Sequence, residues 1–346
     1  MNKRAKILKI WIVVTAMLLC ISGCGIKGNS NVTDNESGLV EAETESKNAD
    51  SRESTATETT APSQKEISVP DEKPQSNQVV ETDLEPSEGL EFESNGDGTC
   101  TITGIGTCTD QNIVIPLESP DGDIVTLIGK YALYSLENVN SITLVNYTYE
   151  VDENAFQYGE FTAVNIIGGS PVINKSAFSS CEDLVSISFS DCNIQADEYA
   201  FYSCGKDADV SFSNCTGIIE ENAFQYGDFL SLTISNCELK IEKSAFSSCE
   251  DLTSVVFTDS TLETEEYAFY SCEDLKSVTI CENAKSDNEI KIDDRVFQYC
   301  KRLETVNIGN GNIEIGEAVF SGCADNLAII VAGKNYTADT IKDGLK

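Results

Sequence analysis

Lys175-Ser176-Ala177-Phe178-Ser179-Ser180-Cys181-Glu182-Asp183-Leu184 occurs twice in this chain, returning unchanged from Lys243 to Leu252, 68 positions later. Its neighbours return at the same offset. Glu153-Asn154-Ala155-Phe156-Gln157-Tyr158-Gly159 reappears at Glu221–Gly227, and Glu198-Tyr199-Ala200-Phe201-Tyr202-Ser203-Cys204 at Glu266–Cys272. Taking Leu133, Phe156, Phe178, Phe201, Phe224, Phe246, Phe269, Phe297 and Phe320 as equivalent gives spacings of 23, 22, 23, 23, 22, 23, 28 and 23. A fixed period in the twenties predicts a solenoid of stacked coils, because one such unit cannot bury a core alone. The longer step predicts an inserted loop over 282–289.

Each unit follows one order. A short alternating strand comes first, as in Ile187-Ser188-Phe189, Val210-Ser211-Phe212, Leu232-Thr233-Ile234, Val278-Thr279-Ile280 and Val306-Asn307-Ile308. Apolar residues alternating with Ser, Thr or Asn predict one buried and one wet face. A turn rich in Asn, Asp, Ser and Gly follows. One further apolar position is expected to be buried, at Ile194, Ile218, Ile241, Ile292 and Ile315. The Ala-Phe turn closes the unit, with Ala small enough for coils to approach and Phe filling the core. Before the array, an Asn95-Gly96-Asp97-Gly98 turn between alternating runs predicts a β-hairpin, and Asn112 to Pro116 a strand.

The pattern Ala-Phe-x-x-Cys-x-x-Leu-x-x-Ile-x-Phe/Ile resembles the BspA-like class of bacterial leucine-rich repeats. The entry at Asn95–Thr99, Ile113-Val114-Ile115-Pro116 and Val125–Gly129 resembles that family's N-terminal cap. The resemblance covers about 90 to 330. It departs in lacking the family's proline after most strands, and in Gly159 and Gly227 standing where Cys is usual. It implies a β-rich solenoid, a right-handed stack of about nine coils of 22–23 residues with an N-terminal β-hairpin cap. It also implies a cell-surface or secreted bacterial protein that binds a partner. The expected division is a lipoprotein signal peptide at 1–23, a disordered acidic tether at 24–90, an N-terminal cap at 91–128, the repeat array at 129–323 and a C-terminal cap at 324–346.

The leader carries its own signal. Lys3, Arg4, Lys6 and Lys9 precede an apolar run from Ile10 to Leu19, then Ile21-Ser22-Gly23-Cys24. The run is too short for a stable membrane span and reads as a cleaved export signal. Small residues before a cysteine resemble the bacterial lipobox, which implies cleavage before Cys24 and a diacylglyceryl group on its sulfur. Two or three acyl chains hold a protein stably on a membrane. From Gly25 to Leu90 there is no aromatic residue and no cysteine. A segment so poor in apolar groups is expected to stay disordered and to span roughly 45 Å as a coil.

Composition narrows the function. The 346 residues include 58 acidic and 23 basic side chains, a net charge of −35, which repels nucleic acid and anionic lipid headgroups. There is no histidine, so a Ser-His-Asp triad, a Cys-His pair and an imidazole metal site are all ruled out. Carboxylates recur with the repeat, as in Glu182-Asp183 and Glu250-Asp251, whereas a glycosidase pair is a single irregular site. No cofactor, metal or catalytic residue is expected, and no enzyme activity. Cys181, Cys204, Cys249, Cys272, Cys300 and Cys323 all lie three residues after a repeat Phe. Columns of buried thiols, disulfides between neighbouring coils and metal binding all remain open for them.

The candidate ligand face is the wet side of the strands, at Ser188, Ser211, Thr233, Thr279 and Asn307, joined by Tyr158, Tyr226 and Tyr299; with Tyr202 and Tyr270 these recur beside the Phe turns, where packing against neighbouring coils competes with an exposed aromatic column suited to glycan stacking. The expected partners are the membrane, through lipid on Cys24, and an extracellular protein or glycan. An envelope spacer with no dedicated ligand is the alternative.

Overall fold

The structure, a computed structural model, describes residues 79–281 and 289–341, all within a unit spanning Asp71–Lys346. The export signal, Cys24, residues 24–78 of the tether and the insertion at 282–288 lie outside the described residues.

The repeat is a coil with two strands rather than one. Ser186–Ser190, Ala208–Ser213, Phe229–Ser235, Ser254–Thr258, Ser277–Ile280 and Thr305–Ile308 are parallel neighbours in one sheet. The second apolar position of each unit belongs to a second parallel sheet, through Asn193–Ala196, Thr216–Ile219, Glu238–Ile241, Thr261–Thr264, Glu289–Ile292 and Asn312–Ile315. Each sheet has eleven strands among the described residues. The solenoid makes about ten turns, close to the nine expected. The stack begins earlier than 129: Asn112–Ile115 and Ile124–Ile128, inside the expected cap, already pair in parallel with Ser141–Val145 and Glu150–Val151. The hairpin Glu91–Ser94/Thr99–Gly104 ends one sheet, and Ala328–Val331/Lys334–Tyr336 ends the other.

The register corrects one expected core residue. Ile218 lies beside Gln195 and Lys240 and points outward, 39% exposed, while Ile219 lies beside Ala196 and Ile241 and is buried. Gly217 takes the inward place that Ile194 and Leu239 hold in adjacent coils, so the alternation starts one residue later than the apolar pattern suggests.

Order also reaches further back than Glu91. Val80 exchanges two hydrogen bonds with the Asn146 side chain, 2.9 and 3.0 Å. The Ser87 amide donates to the Val114 carbonyl, and the Val114 amide donates to Ser87 Oγ. Leu90 is in the core. Residues 79–90, assigned by composition to the disordered tether, are thus a strap against the first coils. Two polar side chains of the strap and array supply bonds that a reading of apolar content alone does not register.

The Ala-Phe turn joins the coils a third time. Phe156, Phe178, Phe201, Phe224 and Phe246 each donate their amide to the Ala carbonyl of the next coil, from Ala177 to Ala268. Their rings form a continuous spine with Phe269, Phe297 and Phe320, stacked at 4.6–5.8 Å and within 13° of parallel. The ring stack is possible because equivalent positions superpose coil on coil, and offset stacking is a favoured aromatic geometry.

The two short coils have a packing cause. Where the coils of Phe178, Phe246, Phe269 and Phe297 have Cys three residues after Phe and Leu six after, the 22-residue coils have Gly159 with Phe161, and Gly227 with Phe229. A Cβ on Gly159 would lie 2.1 Å from Phe161 Cε1, and one on Gly227 2.0 Å from Phe229 Cε2. The second ring occupies the thiol's space and reaches the core edge-on to the spine. Gly227→Cys is therefore expected to overpack the coil and lose about 1–3 kcal/mol, read as a lower urea midpoint.

The cysteine column has a common partner. Cys181, Cys204, Cys249, Cys272, Cys300 and Cys323 each donate Sγ–H to the carbonyl of the repeat Phe in the preceding coil, at 2.8–3.4 Å. All six are free thiols. Burial pushes Cys181, Cys249 and Cys300 well up, and Cys323 to about 12, which keeps them protonated donors.

Candidate binding surfaces

The outer strand face assembles as the alternation predicts. Ser188, Ser211, Thr233, Thr279 and Asn307 fall in one column, with Val256 between Thr233 and Thr279. Thr233 is exposed and the other four are half-buried. The column continues below Ser188 through Asn165 and Thr143, bonded as Ser188 Oγ to Asn165 Oδ1 at 2.9 Å and Asn165 Nδ2 to Thr143 Oγ1 at 3.3 Å. A parallel column runs through Ser186, Asp209, Ser231, Ser254 and Ser277. This face is flat and made of small polar groups, several of which satisfy one another.

The tyrosines pack edge-on against one another in separate groups and do not form one continuous column. Tyr158 meets Tyr134, whose ring also meets Tyr131, both edge-on at 5.6 Å. Tyr226 meets Tyr202, which meets Tyr199, at 5.5 and 5.3 Å. Tyr299 meets Tyr270, which meets Tyr267, at 5.5 and 5.3 Å. Three triplets with one internal geometry thus stand along one edge, a three-coil block apart. Between triplets the equivalent places hold Ser179-Ser180 and Ser247-Ser248, which receive Gln157 and Gln225 side-chain bonds at 2.7 and 2.8 Å. Tyr131, Tyr134, Tyr199 and Tyr267 were not among the residues expected on this edge. The 68-residue offset, carried from Tyr199 back to Tyr131 and on to Tyr267, was the signal for them.

The first ring of each triplet carries a cation. Lys130 lies 5.7 Å from the Tyr131 centroid, Lys175 5.2 Å from Tyr199, and Arg295 5.6 Å from Tyr267. Each cation is also paired with a carboxylate, Glu153, Glu198 and Glu266 respectively. Lys130 and Glu153 bond each other, which raises the first and lowers the second from their ordinary values. Burial raises the phenols of Tyr199 and Tyr226, and Tyr202 to about 12, so these hydroxyls are neutral at physiological pH.

The first and last tyrosines of every triplet have left-handed backbone. Their φ values are 59, 62 and 64° at Tyr131, Tyr199 and Tyr267, and 60, 60 and 62° at Tyr158, Tyr226 and Tyr299. In other coils those two places hold Asn154, Ser176, Asn222 and Ser244, or Ser180, Ser248 and Gly322, at similar φ. The backbone of this edge is already bonded from coil to coil, for example Tyr158 N to Ser179 O and Tyr226 N to Ser247 O.

The recurring acids are solvated and several pair across coils, as Glu273 with Lys301 and Asp274 with Arg302. Among the described residues, no three or more Cys, Asp or Glu side chains converge as metal ligands.

The model of the BspA type leucine rich repeat region matches residues 108–227 and 217–341, in six copies. No curated protein matches the chain. Among solved structures, the chain is similar to a leucine-rich repeat protein of Treponema pallidum, 20% identical over 70% of this chain and 90% of that one, TM-score 0.34. A leucine-rich repeat protein of Bacteroides ovatus is 19% identical over 72% and 71%, TM-score 0.37. A leucine rich cell surface protein of Faecalibacterium prausnitzii is 18% identical over 73% and 96%, TM-score 0.23.

Proposed function

Because the chain belongs to the BspA type leucine-rich repeat family, we propose that it is a binding module held at the surface of a bacterial cell. In this reading the export signal is cleaved before Cys24, lipid on Cys24 anchors the chain to the outer face of a membrane, and the acidic stretch after it spaces the array outward. The array then engages an extracellular protein or glycan without transforming it. The observation that carries this reading is periodicity. Both accessible surfaces repeat along the stack, the strand face coil by coil and the tyrosine edge every three coils, whereas catalysis needs one irregular constellation.

The anchor and the binding role are tested separately. In a bacterial host fed an alkyne fatty acid, the full chain is expected to take up label and Cys24→Ala to take up none. Equal labelling of the variant would remove the anchor. On arrays of glycans and extracellular matrix proteins, the full chain is expected to retain a defined subset of one class. Silence across both arrays would overturn the binding role in favour of an envelope spacer.

A further inference from the structure

We propose that the tyrosine edge binds an extended, uncharged polysaccharide, with one stretch of the sugar chain against each of the three triplets. This rests on the reading of the array as a surface binding module and names the partner and its site.

Backbone strain gives the first reason. A left-handed φ costs a residue with a side chain roughly 1–2 kcal/mol, and a bulky residue there is an outlier. Six of the nine triplet tyrosines sit at such positions. The coil does not need a ring there, since Asn, Ser, Ala and Gly fill the same two places in other coils at similar φ, as at Asn222, Ser248, Ala318 and Gly322. The turn sets this φ whatever residue fills it, so a bulky ring that the turn does not call for points to side chains kept for what they touch.

The chemistry of the edge selects the partner. Most of its amides are already bonded, those of Tyr158, Tyr226, Tyr267 and Tyr299 to the next coil and those of Tyr134, Tyr202 and Tyr270 within their own, so an extended peptide finds no continuous backbone ladder to add to. What the edge offers is ring surface and phenol hydroxyls, since the Asn154 and Gln157 side-chain amides already bond each other and Ser179. Tyr131, Tyr134, Tyr158 and Tyr299 are 43–52% exposed. Aromatic rings pack on the C–H faces of pyranoses while phenol hydroxyls bond sugar hydroxyls. The cation at each triplet is matched by a carboxylate, so no triplet presents net positive charge to a sulfate or a uronate. The chain's charge of −35 repels polyanions further.

Spacing completes the argument. With spine rings 4.6–5.8 Å apart, three coils advance about 15 Å, as three strand spacings require. A globular partner has no reason to present the same group three times in line. A polymer of like units does, and one sugar of an extended β-linked chain advances by close to one coil.

The test is affinity electrophoresis of the full chain, in detergent, through gels holding glucomannan, xylan or mixed-linkage β-glucan, with heparin and gelatin as polyanion and polypeptide controls. Retardation by at least one neutral polymer is expected, with affinity at least about 100-fold above that for its hexasaccharide, because three linked sites act together. The combined variant Tyr158→Ser, Tyr226→Ser, Tyr299→Ser places the residue of neighbouring coils at unchanged φ. It is expected to keep or raise the melting midpoint while losing at least about tenfold in affinity for the polymer. No retardation by any neutral polymer, or a triple variant that binds as tightly as the original, overturns the proposal. Retention by heparin or gelatin alone also overturns it, yet leaves the surface-binding reading standing.

Discussion

Phe224→Ala is expected to lower the stability of the array by about 3–5 kcal/mol, read as the shift in urea midpoint multiplied by its slope. Phe224 has no solvent exposure, and its ring stacks at 4.8 Å on both Phe201 and Phe246. It also meets Phe189, Phe212 and Phe229 edge-on. The cavity left by alanine opens between two coils whose backbones are pinned by the Phe201–Ala223 and Phe224–Ala245 hydrogen bonds, so neighbouring rings have little freedom to collapse into it. Phe320 is the contrasting case. It stacks on Phe297 alone, so Phe320→Ala should cost clearly less. Equal losses at the two sites would mean that the spine contributes only as separate buried rings.

Gly217→Ala should cost nearly as much, about 2–5 kcal/mol, from strain and overlap together. The residue has φ of 126°, and a Cβ there would lie 1.9 Å from the Ile194 carbonyl oxygen and 2.8 Å from its carbon. Those atoms are backbone of the preceding coil and cannot swing aside as a side chain would. A midpoint for Gly217→Ala within error of the original would show that this strand relaxes freely between its neighbours.

How much of this was legible in the sequence follows from how strictly stacking repeats its demands. The Ala-Phe turn, the first strand of each coil and the hairpin around Asn95–Gly98 were all readable, because each coil presents the same partner to the next and the same residue type recurs. The second strand was reduced to a single apolar position. From Glu150 onward it is only two to four residues long, and its inward places include Gly217, Ala196 and the buried Thr264 as well as Leu and Ile. That irregularity is also why Ile218 was assigned inward. The strap at 79–90 was hidden because Ser87 and Val80 join the fold through hydrogen bonds. On the candidate site, the polar column was legible from alternation. The triplets were only partly so: Tyr131 belongs to the block before the exact duplicate, where Leu133 stands in place of the repeat Phe, whereas Tyr199 and Tyr267 lie inside the duplicated stretch, two residues before the Phe.

The coil-to-coil bonds also have a mechanical consequence. They run along the stack, so tension applied between its two ends loads every boundary in series, and the weakest boundary yields first. In the sheet of second strands, three successive boundaries, from Ile124–Ile128 through Glu150–Val151 and Val172–Ile173 to Asn193–Ala196, share only two residues of pairing each, against four between Thr216–Ile219 and Glu238–Ile241. Under an axial pull the array is expected to part within these three boundaries, and the coils from Asn193 onward should hold as a unit, so that extension is taken up at one end while the later tyrosine stations keep their spacing.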